Sequence, residues 1–230
     1  MTSKALLNLL AGVDEVQALR SEFPVPKGIP SGYMALAAKA HGRSCVVLLS
    51  SHLDRYVYAV NEEAIDWINR AQCDIARFPD EFLLQHSKGA VDSIAARSWE
   101  RRAESLREFI AVHGELWSPG GVSGSLNHAE LLTWMRAPKP ESLQRFYRLY
   151  GVENIFQAVT RGSATRAALY LGIRELVEKR NNIAHGDFET QALPTDVTRY
   201  LAAVQKFAVS ADNRLSLAIR RLVGQGISPW

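Results

Sequence analysis

Apolar side chains in the first third of the chain fall three or four residues apart: Val46, Leu49, Leu53, Val57 and Val60, continuing to Ala64, Trp67 and Ile68. That spacing draws one stripe down a helix. No proline interrupts residues 31–78, and Ser31-Gly32 supplies a start signal, so the pattern predicts a long helix over about 33–77, bent near Asn61. Upstream, Ala5, Leu6, Leu9, Leu10, Val13 and Val16 mark an amphipathic N-terminal helix closed by Pro24, Pro26 and Pro30. Pro79-Asp80-Glu81 opens a short helix, and a further helical stretch covers about 92–113. Two short amphipathic pieces follow Pro138 and Pro140, in "ESLQRFYRLYG" and "VENIFQAV". Residues 164–185 predict another helix, and Pro194-Thr195-Asp196 opens the last. There Val197, Tyr200, Val204, Phe207, Ala211, Leu215, Ala218 and Leu222 keep the three/four alternation. No segment alternates with period two for long enough to predict a strand. The stretch "SPGGVSGS" at 118–125 reads as a surface loop and lacks the glycine patterns of phosphate-binding or nucleophile turns. With no repeat and no convincing linker, the expectation is all-α: one domain over 1–230, with 1–30 a helical extension and 31–230 a core bundle. The bundle is built around the 33–77, 164–185 and 196–223 helices.

One position disturbs this pattern. On the 164–185 helix the apolar sequence Leu169, Ile173, Leu176 runs on through 180 to Ile183, and position 180 is an arginine. At 3.6 residues per turn, Arg180 lies within roughly 20° of Leu169. A guanidinium there must be paired, point into an interface or face a polar cleft, because an unpaired buried charge is too costly. Asn181 and Asn182 follow, then His185 and Gly186. Five residues turn a helix by roughly 140° beyond a full turn, so Arg180 and His185 do not share a face. Ordinary capping also accounts for the string: His185 complements the macrodipole, Gly186 takes the left-handed position after the helix, and Arg180 forms half of a buried salt bridge. Spacing alone decides nothing. Arginine followed by histidine four to six residues later occurs twice, at Arg180/His185 and Arg107/His113, and this composition produces one or two such pairs by chance. Context separates them, since Arg107 is followed by Glu108 on a charge-rich helix while Arg180 leads the uncharged "NNIAHG".

Composition narrows the classes. A hydrophobic content of 47% and a charged content of 22% are ordinary for a globular protein, and no apolar run reaches the roughly 18–20 residues of a membrane span. The N-terminal segment reads as an amphipathic helix rather than a signal peptide. Cys45 and Cys73, without a CxxC or a histidine partner in the pattern, read as buried free thiols, which suits a reducing cytoplasm. A net charge of +3 is too small to indicate nucleic acid. Yet 20 of the 27 basic residues are arginine, whose fork pairs bidentately with phosphate; high-GC coding explains that bias equally well. Asp54, with His52 on the long helix, is either a solvated or structurally paired carboxylate or an acidic neighbour of the Arg180 motif. Arg97, Arg101, Arg102 and Arg107 with Trp99 offer an RNA-binding face, but Glu100, Glu104 and Glu108 interleave at helical spacing and neutralise it. His113 and His128 lack metal-ligand spacing and His41 and His86 stand alone, so neither a metal site nor a cofactor is expected.

The string "LVEKRNNIAHGDF" resembles the signature of the HEPN superfamily, an arginine with a polar neighbour and a histidine a turn later. With "GRSCVVLLSSHLDRYV" at 42–57, "KPESLQRFYRLYGVENIF" at 139–156 and the closing "GISPW", the chain is similar to the RiboL-PSP subgroup over most of residues 40–230. The resemblance implies a HEPN-like helical bundle with a long final helix that forms a homodimer in which two motifs face one another. It implies a metal-independent endoribonuclease, toxin-like or defence-associated, or a non-catalytic module that binds RNA or a partner protein. In the catalytic case the 2′-hydroxyl of RNA is the nucleophile. His185 serves as general base or acid, Arg180 stabilises charge on the phosphorane-like transition state, and Asn181 or Asn182 orients the histidine or a phosphate oxygen. The products are then a 2′,3′-cyclic phosphate and a 5′-hydroxyl. Asp54 falls in a matching stretch and is a candidate supporting residue, and an antitoxin or regulatory protein is a candidate partner.

Overall fold

The computed structural model describes residues 2–22, 32–224, 226 and 228–230; Pro24, Pro26, Pro30 and Ser31 lie outside them. Among the described residues the chain forms nine α-helices, and its one β feature is an isolated antiparallel bridge between Asp74 and Val122. They are α1 (Lys4–Glu22), α2 (Gly32–Ala71), α3 (Asp80–Ala96), α4 (Trp99–His113), α5 (His128–Leu131), α6 (Pro140–Leu149), α7 (Ile155–Ala158), α8 (Ser163–Ala184) and α9 (Pro194–Val223). The all-α expectation holds, and so does the long final helix.

At the centre lies α2, packed against α1, α8 and α9. Its stripe of Val46, Leu49, Leu53, Val57, Val60, Ala64 and Ile68 is buried throughout, and Leu6, Leu9, Val13 and Val16 of α1 belong to the same apolar cluster. Burying side chains of this size stabilises by roughly 1.5–3 kcal/mol each. The helix runs unbroken through Asn61, whose amide is engaged on both sides: Nδ2 donates to the His128 carbonyl at 2.8 Å, and Oδ1 accepts from the Tyr150 hydroxyl at 2.7 Å. It stops at Ala71, short of the expected 77, because Asp74 opens a 3-10 turn over Ile75–Arg77 by accepting from the Ala76 N–H. Further on, the break between two predicted helices lies at Arg97-Ser98 rather than near 91, so α3 and α4 form a hairpin.

The second half of the chain supplies a wall of aromatics. Phe146 of α6 and Tyr150, the residue that caps it, meet edge to face, Tyr147 meets Phe207 of α9 in the same way, and Phe156 stacks on Phe207. Against this wall α8 approaches α9 closely at Gly172, where a Cβ would lie 2.8 Å from that of Ala203. At the far end of α9, Asp212 is buried and accepts from the Ser3 N–H, the Ser3 hydroxyl and the Trp230 indole. One carboxylate therefore ties the first helix and the end of the chain to α9.

Cys45 and Cys73 are buried free thiols. Contrary to the sequence reading, Cys45 has a histidine close by, since His41 Nε2 lies 3.9 Å from its sulfur one helical turn away. Burial pushes the Cys45 thiol up from its ordinary pKa. No described helix is long and apolar enough to cross a membrane.

Candidate functional site

The last turns of α8 hold the arginine that broke the apolar pattern. Leu169, Ile173, Leu176 and Val177 are buried, and Arg180, next on that stripe, is half-buried. Its guanidinium reaches a cleft of about 260 Å³ shared with Ser50, Ser51, Asp54, Arg55 and Tyr58 of α2 and with Arg136 to Pro138 of the segment before α6. A polar opening, rather than apolar core, lies where the stripe meets α2. The Tyr58 hydroxyl donates to the Met135 carbonyl at 2.9 Å and so pins the Arg136 segment to the cleft.

Arg180 is not spent on an ion pair: among the described residues its guanidinium forms no salt bridge, and Nη1 donates to Asn181 Oδ1 at 3.2 Å. The buried salt bridge weighed from the sequence therefore does not form. Asp54, one wall of the cleft away, lies within electrostatic reach. Burial pushes its carboxyl above the usual carboxylate range and the Arg180 charge pulls it part of the way back. Its Oδ1 is buried with no hydrogen-bond partner. A buried carboxylate oxygen without a partner, in a cleft that Arg55, Arg136 and Arg180 also line, is a physical anomaly. His52 plays no part here; its Nε2 meets Glu15 of α1 at 3.2 Å, and its ring occupies the space that Gly12 leaves open.

The stop expected at the helix end does form, although the salt bridge that went with it does not. His185 is the C-cap, Gly186 is left-handed at φ 83°, the Gly186 N–H donates to the Ile183 carbonyl, and the Asp187 N–H reaches back to the Asn182 carbonyl. This is the paired 6→1 and 5→2 arrangement of a Schellman motif. Beyond it, Asp187 accepts from the Glu189 and Thr190 N–H groups and from the Thr190 hydroxyl, which holds its carboxyl below the ordinary value. Lys179 bonds the Gln191 carbonyl and Asp196 at 2.7 Å each, so the segment from α8 into α9 is tied at both ends.

Within one chain the structure brings together Arg180, Asn181 and Asp54, but not His185. Asn182 and His185 are both exposed, and neither meets the cleft. Close to the histidine in sequence, the chain exposes apolar surface. Phe188 is 76% exposed, and with Ile183 it borders a groove of about 880 Å³ against Leu36, Ala40, Val47 and Leu48 of α2. The Arg43 guanidinium lies 5.3 Å from the Phe188 ring centroid. Tyr33, Met34 and Leu36, on the first turns of α2, are exposed too.

Sequence reasoning missed Arg55, Tyr58 and Arg136. Arg136 sits in irregular chain before "APKP" with no spacing to mark it, and only the fold carries it to α8. Two histidines thought to stand apart also meet: the His86 and His113 rings lie 5.7 Å apart, edge to face. His86 Nε2 accepts from the Asn127 N–H at 2.7 Å, and burial pushes its pKa down to about 4. Among the described residues no group of three or more His, Cys, Asp or Glu side chains is arranged to hold a metal ion.

Comparison with known proteins adds one positive result. The RiboL-PSP-HEPN family model matches residues 36–216, a span that holds the cleft, all of α8 and most of α9. No curated protein and no solved structure matches the chain.

Proposed function

Because the chain belongs to the RiboL-PSP-HEPN family, we propose that it is a metal-independent endoribonuclease that works as a homodimer. Membership suggests an RNA-cutting or RNA-binding module, and the cleft favours cutting. One observation carries the reading: Arg180 stands on a buried stripe, aimed at a polar cleft, with no carboxylate paired to it. Structural arginines in such places are neutralised by ion pairs; this one is oriented by Asn181 and left available to an anion.

RNA carries its own nucleophile, so the protein has to move protons and stabilise charge. In the proposed step the 2′-hydroxyl gives its proton to a base and its oxygen bonds to the adjacent phosphorus. The bond to the 5′-oxygen then breaks as that oxygen takes up a proton. His185 supplies proton transfer, and Arg180 stabilises the charge gathering on the non-bridging oxygens. Arg55 and Arg136 add positive charge for the strand on either side of the scissile phosphate. His185 is exposed and does not line the Arg180 cleft of its own chain; in this reading a second copy completes the pair, with the exposed apolar surface around Phe188 as the contact. Asn181 orients Arg180, and Asp54 supports it from α2.

The test is cleavage of end-labelled RNA in excess EDTA by the wild type, His185→Ala and Arg180→Ala, each first shown to fold and to keep the wild-type mass. Cleavage that leaves 2′,3′-cyclic phosphate ends and disappears in both variants is expected. The separation of Arg180 and His185 within one chain favours a second reading, a non-catalytic module that binds RNA. Tight RNA binding without cleavage of total RNA, tRNA or structured substrates would establish it. The wider role we propose, a toxin-like or defence factor restrained by a regulatory partner, rests on family membership alone. It requires that induced wild-type protein arrest growth and His185→Ala not do so.

A further inference from the structure

Alone among the longer helices, α4 buries none of its residues. Its contacts are with α3 and the 3-10 turn that follows it, and they use one stripe, the half-buried Arg102, Ser105, Phe109 and His113. A second stripe, at about 85° to the first, is exposed along its length. It consists of Trp99, Ala103, Leu106 and Ile110, spaced four, three and four apart, which is the repeat of a helix-pairing seam. Trp99 is 79%, Leu106 48% and Ile110 60% exposed. Trp99 is also held in place: the Arg102 guanidinium lies 5.7 Å from its ring centroid and bonds the Ala95 and Arg97 carbonyls at the end of α3. Arg102 is therefore committed to the hairpin and is lost to the RNA-binding face considered for these arginines.

We propose that this stripe is a docking surface for a second copy of the same chain, α4 against α4 and antiparallel about a twofold axis. Charge selects the partner and its direction. Over residues 97–115, Arg97, Arg101 and Arg102 against Glu100 and Glu104 leave the first half one charge positive; Glu108 and Glu115 against Arg107 leave the second half one charge negative. Antiparallel pairing sets each half on its opposite, whereas parallel pairing sets like on like. Size agrees with the same register. With Trp99 facing Ile110 of the second copy, Ala103 faces Leu106, so small meets large, and Glu100 comes beside Arg107. The exposed seam is apolar with charge confined to its flanks, the arrangement of an interface rather than of a strand-binding groove. None of these residues lines the Arg180 cleft or the Phe188 groove, so this contact is separate from the one proposed for catalysis and does not rest on it.

Sedimentation equilibrium of the full chain without RNA, from about 1 to 100 µM, tests the proposal. Leu106→Glu/Ile110→Glu is expected to halve the limiting mass while far-UV helicity is unchanged, since both side chains are on the surface. Glu100→Arg and Arg107→Glu alone each weaken association by roughly three- to tenfold, and the two together restore it. A wild type that stays monomeric at 100 µM overturns the proposal. So does a mass indifferent to Leu106→Glu/Ile110→Glu, or a double charge reversal no better than the single ones. Mass is read without substrate, so loss of nuclease activity and loss of this contact are distinguished.

Discussion

Asp54→Asn is expected to make the protein more stable and less active. The substitution keeps the shape of the side chain and removes a charge whose Oδ1 is buried without a partner. The amide leaves a polar atom there still unpaired, so what is relieved is the extra cost of burying a charged rather than a neutral group, about 1–2 kcal/mol. The residue is only half-buried and borders an open cleft, so the low end, about 1 kcal/mol, applies after solvent screening. The carboxyl is pushed above its ordinary value in the folded protein, by burial first, with Arg180 opposing. In strong acid it is protonated in both states, and wild type and variant are equal. As pH rises through the unfolded value near 3.9 the unfolded chain ionises first and gains stability, so the wild type falls behind the variant from about pH 4 upward. The gap then stays constant once the folded carboxyl has ionised as well. Urea denaturation of both proteins at pH 3, 5 and 7 is expected to show no difference at pH 3. At pH 7 the variant leads by about 1 kcal/mol, or roughly 2–4 °C in Tm for a chain of this size. RNA cleavage at pH 7 falls at the same time, because the group that faces Arg180 from α2 is gone. A variant that is equal to or weaker than wild type at pH 7 refutes the reasoning, since the carboxylate would then be solvated or paired.

Three further perturbations bear on the scaffold and the motif. Asp212→Ala orphans the Ser3 N–H, the Ser3 hydroxyl and the Trp230 indole together; urea denaturation is expected to show a loss of about 3 kcal/mol, and less than 1 kcal/mol would mean these bonds contribute little. Gly186→Ala forces a side chain into a left-handed position at φ 83° and is expected to cost about 1–2 kcal/mol in thermal unfolding, with a fall in cleavage as the adjoining His185 loses its fixed direction. His86, pushed down to about 4 by burial with His113 adding to it, stays neutral in the folded chain while the unfolded chain protonates near 6.5. Its contribution is therefore complete above pH 6.5 and lost as pH falls towards 4, a span of about 3 kcal/mol. Its ring resonances are expected to hold their neutral positions down to pH 5 in an NMR titration, and a midpoint above 6 would refute the assignment.

How legible the fold was depended on which interactions ended each element. Where a stripe runs to a strong stop, the sequence reading and the structure agree within two residues. α9 begins at Pro194 and ends at left-handed Gly224, and α8 covers Ser163–Ala184 against an expected 164–185. Where the stop is tertiary, the reading drifts. α2 ends early at a turn held by the Ser123 hydroxyl, which bonds the Cys73 N–H and the Ile68 carbonyl across 50 and 55 residues. The α3–α4 break was misplaced because Arg97-Ser98 carries neither glycine nor proline. In both cases the deciding partner is distant or unmarked in sequence.

The site divides along the same line. Periodicity alone puts Arg180 on the buried stripe, because a face is a local property of one helix. What that face meets is not local: Asp54 lies 126 positions upstream and Arg136 lies 44, and only the packing of α2, α8 and the pre-α6 segment gathers them. The sequence also posed capping and chemistry as rivals for one string, and the geometry removes the rivalry. Gly186 closes the helix with a Schellman motif, and that closure fixes the backbone of His185 at φ −83°, ψ 8°, with the side chain exposed and outside the cleft lining. A helix that continued past 185 would bury or rotate that position, and one that frayed would leave it undirected. In the proposed dimer the cap is what presents the histidine to the second chain. Gly186→Ala tests cap and chemistry at once, since cleavage lost in proportion to cap stability, with Arg180 untouched, is the outcome only a shared role produces.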